Sequence, residues 1–543
     1  MPDPRVLSVR RFDRHAIGPG RCVLAAALAW WGLSASAALA SPTDEIFVSG
    51  FEQGTVLDWT AAVGAAPVEP PAVCTPPIAA VDTSDATVVG TGTAGSCTEA
   101  ALRAVLASNN GAIRFDCGPA AHTIGLAAAL DLDADLVIDG GGSITLSGGG
   151  TTRIINFRPP FQQPRTLTVQ GLTFRDGSTA ALPGTTTESG GAAIFRGEFG
   201  TLNVIDCRFF DNVGPGSGQD VAGGAIYSFG ASTTTVVGSV FQNNRCSSGG
   251  ALGHLFADLR LFNSLLDDNH ATGTGGNPGT GGNGGAVYSD GNDQTMSVCG
   301  SVLSRNTANA RGGGFMRVSN NGVGPMTFDR TAVRDNEGTL QAGGLYLQGL
   351  QATIVDSTIS GNSSQSRGGM TVFTNPGTQT LMMRNVTLAD NFATGNLGAG
   401  MAVDNAITGS LEHVTIVRNG NSGEFSFASA IAGGAGLTVD RSLIVDNEKF
   451  FEFENTSCNV THTGAGNVQW PEFNEGGQLE LACAAGVTFQ DVPISPLADH
   501  GGPTSTVVPG PGASIIGSLT GCTGSDQRGL PRGATCTPGA VEP

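Results

Sequence analysis

Residues 204–212 read VIDCRFFDN, and the pattern returns as VVGSVFQNN (236–244), LFNSLLDDN (261–269), IVDSTISGN (354–362) and VDRSLIVDN (439–447). Nine copies end in asparagine, at Asn212, Asn244, Asn269, Asn306, Asn336, Asn362, Asn391, Asn419 and Asn447. Self-similarity at a period of about 20–50 residues marks a solenoid, a propeller or an array. Three residues before each Asn stands a large apolar residue (Phe209, Phe241, Leu266 and their equivalents). Five before it the residue is small or β-branched (Cys207, Ser239, Ser264). These rows differ by two and share a strand face. A third apolar row lies eight before the Asn (Val204, Val236, Leu261), an odd offset from the row at three. A flat strand would turn these rows to opposite faces, so a corner between two short strands is expected.

A further apolar segment follows most Asn copies, opened by paired glycines: GGAIYS at Gly223, GGALGH at Gly249, GGAVYS at Gly284, GGGFMR at Gly312. Such pairs suit a tight bend where backbones approach closely. Each repeat then forms three short strands and three corners, one coil of a parallel β-helix. Stacking at about 4.8 Å would align the nine Asn as an internal amide ladder. No leucine-rich-repeat or propeller-blade pattern competes. The expected fold is all-β, a right-handed parallel β-helix solenoid with three strands per coil. A short N-terminal capping helix and an irregular, disulfide-stapled C-terminal cap close its ends; the handedness comes only from the resemblance given below.

The ends of the chain read differently. Residues 1–40 carry a basic start, an apolar run from Val23 to Leu33 and an Ala38-Leu39-Ala40 cleavage pattern, which together predict a signal peptide and a secreted or cell-surface protein. Residues 41–80 read as a Pro/Ala-rich linker, 81–150 as the N-terminal cap and first coils, 151–455 as the repeats, and 456–543 as the C-terminal cap. Ser96-Cys97-Thr98-Glu99 matches a capping box ahead of a short amphipathic helix, AALRAVLAS. The chain carries a net charge of −19. Loss of residues 1–40 removes five Arg and two Asp, leaving 22 basic and 44 acidic residues. That balance disfavours nucleic acid and anionic membranes, and no apolar run in the mature chain reaches transmembrane length. A monomer is expected. Ten cysteines remain after export, an even count that favours disulfides. The local pairs are Cys97 with Cys117, Cys458 with Cys483, and Cys522 with Cys536. Cys74, Cys207, Cys246 and Cys299 stay unassigned, with Cys207 and Cys299 read as small buried ladder residues.

CTEAALRAVLASNNGAIRFDCG followed by LVIDGGGSITLSGGG resembles the start of bacterial right-handed parallel β-helix repeat proteins of the pectate-lyase-like superfold. The coils are also similar to polymorphic outer-membrane-protein repeats. The ending LADHGGPTSTVVPGPGASIIGS … DQRGLPRGATCTPGAVE resembles the choice-of-anchor Q domain of exported surface proteins. The resemblance implies export and this fold; activity varies too widely across the fold to be implied.

Chemistry is sparse. Relatives that cleave polyuronates use carboxylate clusters with Arg, Lys or His, and no such motif stands out. Asp267-Asp268 is the one adjacent aspartate pair and reads as a solvated corner. Asp131, Asp133 and Asp135 alternate with apolar residues and would share a strand face, a set that allows calcium; no organic cofactor is expected. The residue five beyond the first Gly of each Gly-Gly segment (counted from Gly191 for the first member and from Ala399 for the last) forms a polar row, Arg196, Ser228, His254, Ser289, Arg317, Gln348, Phe373 and Asp404, expected outward or at a corner. Within it Arg196, His254, Arg317 and Asp404 are candidate ligand-reading residues. Connections from Asn to the next Gly-Gly lengthen to 11, 15 and 14 residues after Asn212, Asn269 and Asn419. Insertions on one corner of a repeat protein are a common binding face, which adds Asp220 and Glu424 with its neighbours Phe425 and Phe427. The expected function is adhesion or binding of a polysaccharide or cell-surface glycan outside the cytoplasm. The alternative is a lyase or hydrolase acting on a uronate-type glycan.

Overall fold

The computed structural model describes residues 73–108, 111–184, 187–276, 278–395, 397–449 and 454–543. The proposed signal peptide and most of the proposed linker lie outside these residues. The described chain is a parallel β-helix with three long sheets running along the stack. The first sheet holds the strands before each Asn, such as Thr233–Val237 and Val240–Gln242. The second holds the strands after the glycine pairs, such as Ile226–Phe229. A third sheet, made of two-residue strands such as Arg245–Cys246, directly follows the ladder Asn. The sequence reading did not separate it, because two residues are too few to carry a period.

The corner expected between the two strand rows is present in every repeat. The residue six before each Asn is left-handed, from Asp206 (φ 51°) to Arg441 (φ 50°), and so is the residue just before each Asn, from Asp211 (φ 57°) to Asp446 (φ 54°). Each such residue turns the strand while keeping both apolar rows inward. Val204, Phe209, Val236 and Phe241 are accordingly fully buried in one continuous core. Phe174, Phe209 and Phe241 stack within it at 4.9 and 4.5 Å between ring centroids.

The asparagines form the expected ladder. Each Nδ2 donates to Oδ1 of the next Asn at 2.9–3.0 Å from Asn212 to Asn447. The same Oδ1 accepts from the backbone N–H of the preceding Asn. A second ladder runs beside it, where Ser239, Ser264, Ser301, Ser357 and Ser442 Oγ accept backbone N–H groups at 3.1 Å. Polar groups that would be costly to enclose alone are thus satisfied along the stack.

The glycine corner is also explained by contact. A Cβ at Gly285 would lie 2.1 Å from the Gly313 carbonyl oxygen, so the second glycine of a pair has no room for a side chain. The first glycine is left-handed, as at Gly223 (φ 72°) and Gly284 (φ 63°). Three coils place a different residue there: Ala342 (φ 57°), Arg367 (φ 67°) and Ala428 (φ 53°).

The helix Glu99–Ser108 buries Leu102 over the first coil. Its cap is Thr98, whose Oγ1 accepts the Ala101 N–H at 3.2 Å; the expected Ser96 instead accepts from Thr91. The disulfides Cys97–Cys117, Cys458–Cys483 and Cys522–Cys536 are present as expected. A fourth joins Cys74 to Cys299, which corrects the reading of Cys299 as a free ladder residue. Cys207 and Cys246 are free and buried.

Two segments strap the outer face of the first sheet. From Cys74, where Asn263 Oδ1 and Nδ2 bond its backbone at 2.9 and 2.8 Å, the N-terminal strap reaches Val81 at Gln170 and Thr83 at Asp139. From the other end, Thr504 donates to the Asp356 carbonyl, Gln527 bonds Thr358 and Thr387, and the Ala540 N–H donates to Thr415. Among the described residues no helix is long and apolar enough to cross a membrane.

Candidate functional site

The first five members of the polar row do not face outward. Arg196, Ser228, His254, Ser289 and Arg317 pair in register on adjacent strands of the second sheet and are all 0% exposed. They sit two residues beyond the inward Ile194, Ile226, Leu252, Val287 and Phe315, so strand alternation turns them inward too. The row then changes face. In the coils of Ala342 and Arg367 the left-handed corner precedes the Gly-Gly pair by one residue, so counting from the glycine slips by one. Asp404 is likewise one residue late, because it stands six and not five residues beyond the left-handed Gly398. Arg317 aligns with Leu347, Val372 and Val403, while Gln348, Phe373 and Asp404 face outward. Arg196, His254 and Arg317 cannot touch an external glycan. Asp404 can: it accepts from Thr374 Oγ1 at 2.7 Å, a bond that holds its carboxyl below the usual range.

The three carboxylates read as a calcium set do not assemble. The strand stops at Leu132, so alternation no longer governs Asp133 and Asp135. Asp131 accepts from Asn156 Nδ2 and Asp135 from the Thr166 N–H, each at 2.7 Å. They line a depression of ≈ 240 Å³ with Arg103, and no group of described carboxylates there converges within the reach of one ion. Asp267 is likewise not a solvated corner residue. It is 1% exposed, accepts from Ser304 Oγ at 2.6 Å and from Arg305, and burial raises its pKa.

The long connections do fall on one corner, between the third and second sheets. The third is shorter than the glycine count implies, because the corner after Asn419 is at Ala428, nine residues on, and Gly433 belongs to the next turn. Glu424 and Phe425 in this connection are exposed. Between the connections after Asn269 and Asn419 lie four coils with short ones, from Asn306, Asn336, Asn362 and Asn391. At about 4.8 Å per coil they span roughly 19 Å. We call this row of four short connections, bounded by a longer one at each end, the saddle.

On the third-sheet side, Glu337, Thr339, Ser363, Ser364, Gln365 and Thr394 line a groove of ≈ 390 Å³. Phe392, in register with Ser363 and Gly420, is 42% exposed and packs over Gly420, which has no side chain to displace it. On the second-sheet side, the Arg311 guanidinium lies 5.8 Å from the Tyr346 ring centroid and Arg367 lies 4.9 Å from Phe373. Tyr346 and Phe373 are neighbours at 5.6 Å. Gln348 accepts from Tyr346 OH at 3.3 Å and donates to Asn375 at 3.2 Å. Arg367 stands two residues beyond Gln365, the last of the groove residues in that segment. Burial lowers its pKa, but it stays a cation at neutral pH.

Beside the saddle, Tyr288 OH lies 3.0 Å from Asp220 Oδ1 and 3.2 Å from Asp290 Oδ2, and Asn320 Nδ2 donates to Asp290 at 2.7 Å. Burial, aided by the Asp220 charge, raises the Asp290 pKa. The sequence reading singled out Asp220 through its loop and missed Tyr288 and Asp290, whose partnership needs a contact 68 residues apart.

No protein-family model matches the chain, and no curated protein does. Among solved structures it is similar to a point mutant of the PL6-family alginate lyase AlyGC, with 10% identity, a TM-score of 0.30, and coverage of 83% of this chain and 57% of that one. The chain thus spans little more than half of that lyase. The fold assignment rests on the strand register described above.

Proposed function

We propose that this protein is a non-catalytic, exported β-helix that binds an extended glycan across the saddle, in adhesion or surface attachment. The observation that carries the reading is Arg367. Where other coils use glycine or alanine, this coil holds an arginine in the left-handed conformation, which costs about 1–2 kcal/mol. Left-handed arginines also stand at corners of the first sheet (Arg305, Arg330, Arg418 and Arg441), so the place of this one, rather than its strain, is the pointer to function. It puts a guanidinium over an aromatic ring, two residues along the chain from a groove lined by hydroxyl, amide and carboxylate groups. Those groups match sugar hydroxyls, and the exposed Phe392 ring matches the C–H face of a pyranose. The coil repeat is comparable to one sugar unit of an extended chain. Four disulfides support an oxidising compartment.

A second reading, a polysaccharide lyase or hydrolase, is favoured by the Asp220–Tyr288–Asp290 group, where two carboxylates share one phenol and one of them has a raised pKa. Binding to a glycan array, paired with assays for unsaturated uronates and new reducing ends, separates the two. Saturable binding without products supports the first reading. Products that vanish in Asp290→Asn would replace it with the second, and absence of binding to any glycan would defeat both.

A further inference from the structure

The inward row Arg196, Ser228, His254, Ser289 and Arg317 is symmetric in size about its centre: long, small, ring, small, long. The serines make room. The Arg196 side chain reaches the coil of Ser228, where its Nη1 donates to the Phe229 and Gly230 carbonyls at 2.8 and 2.9 Å and its Nη2 to the Ser232 carbonyl at 2.9 Å. Arg317 reaches the coil of Ser289 from the opposite direction. Its Nη2 donates to the Asn292 and Gln294 carbonyls at 3.0 and 2.9 Å, and its Nη1 to the Val318 carbonyl at 2.8 Å and Ser289 Oγ at 3.2 Å. Both cations therefore lean towards His254, one from each side.

Every acceptor these guanidiniums meet is neutral. Asp258, Asp290 and Asp293 act on them only at a distance. The Asp258 carboxylate is engaged by the Thr295 N–H and Thr233 Oγ1, Asp290 by Asn320 and Tyr288, and Asp293 is exposed. Among the described residues no carboxylate forms an ion pair with either arginine. Two enclosed cations without a touching counter-charge are costly. Donors are also left over: Arg196 Nε, Arg317 Nε and both ring nitrogens of His254 have no hydrogen-bond partner in the protein. Burial and the two flanking guanidiniums hold the His254 pKa down to about 3. The ring is thus neutral at physiological pH and offers one N–H.

We propose that the lumen of the β-helix holds a monatomic anion, a halide, against His254 between Arg196 and Arg317. A halide accepts N–H donors from several directions and balances part of the buried charge. A polyatomic anion would have to displace the packed serine rungs, and a water would satisfy donors while leaving the charge. The site is independent of the saddle and would act as a structural ion taken up on folding.

The test is to refold the disulfide-intact protein in sodium bromide, crystallise it and measure anomalous scattering at the bromine edge. In parallel, thermal unfolding is followed at constant ionic strength as bromide or chloride replaces gluconate. The expected result is an anomalous peak within hydrogen-bond distance of His254. The unfolding equilibrium should shift towards the folded state nearly tenfold per tenfold halide above the dissociation constant, and His254→Leu should abolish that dependence. An ordered water without anomalous signal at His254 overturns the proposal, as does an equal halide dependence in His254→Leu. Should that variant fail to fold, the anomalous map of the wild-type protein decides alone.

Discussion

Replacing Asn336 by alanine removes one rung from the middle of the ladder. Its carboxamide accepts from the Asn306 backbone N–H at 3.0 Å and from Asn306 Nδ2 at 2.9 Å, and donates to the Leu303 carbonyl and to Asn362 Oδ1, each at 2.9 Å. The residue is fully buried. Alanine would orphan two donors on Asn306 and the Leu303 carbonyl inside a packed lumen. Each orphaned buried group costs about 1–3 kcal/mol, so the substitution should destabilise by about 3–9 kcal/mol. That is a large share of the 5–15 kcal/mol typical of a folded domain. Because each coil contacts only its neighbours, the loss should appear first as faster hydrogen exchange in the coils of Asn306, Asn336 and Asn362. The assay is urea unfolding with site-resolved exchange, using the exposed Thr339→Ala as control, which should change stability by less than about 0.5 kcal/mol. A loss below about 1 kcal/mol with unchanged exchange in those coils would refute the view that the amide ladder holds the stack.

Arg367→Gly should relieve left-handed strain, leaving stability unchanged or raised by up to about 1 kcal/mol, while glycan binding weakens at least tenfold; denaturation and calorimetric titration read the two effects separately. Asp267→Asn tests a buried carboxyl whose folded pKa is raised. Such a group favours folding fully below its unfolded pKa of about 3.9 and loses that contribution as pH rises towards the folded value. The variant should therefore gain on the wild type as pH increases through that window, read from unfolding midpoints between pH 3 and pH 7. Cys74→Ser with Cys299→Ser should cost about 2–4 kcal/mol and raise hydrogen exchange along residues 81–84, with little change at the saddle.

The fold was legible because one residue type marks a fixed point in each coil. Once Asn is placed, the rows at three, five and eight residues before it determine which side chains face inward and where the strand must turn. The third sheet was not legible, since two-residue strands such as Arg245–Cys246 are set by their neighbours in adjacent coils. The outer row failed at Gln348 and Phe373 for a local reason: Ala342 and Arg367 occupy the position that glycine holds in most coils, and counting from glycine then slips the register by one. That same departure marks the candidate site, visible only once the backbone conformation of Arg367 is known. Cys74–Cys299 and Tyr288–Asp220 join positions that the coiling brings together, and no local spacing announces them.

The most direct test of the saddle is a crystal structure with an oligosaccharide selected by the array. Sugar rings should lie along the stack between the connections after Asn269 and Asn419, with one ring against Phe392 and a polar group on Arg367. Sugar bound on another face, with the saddle clear, would contradict it.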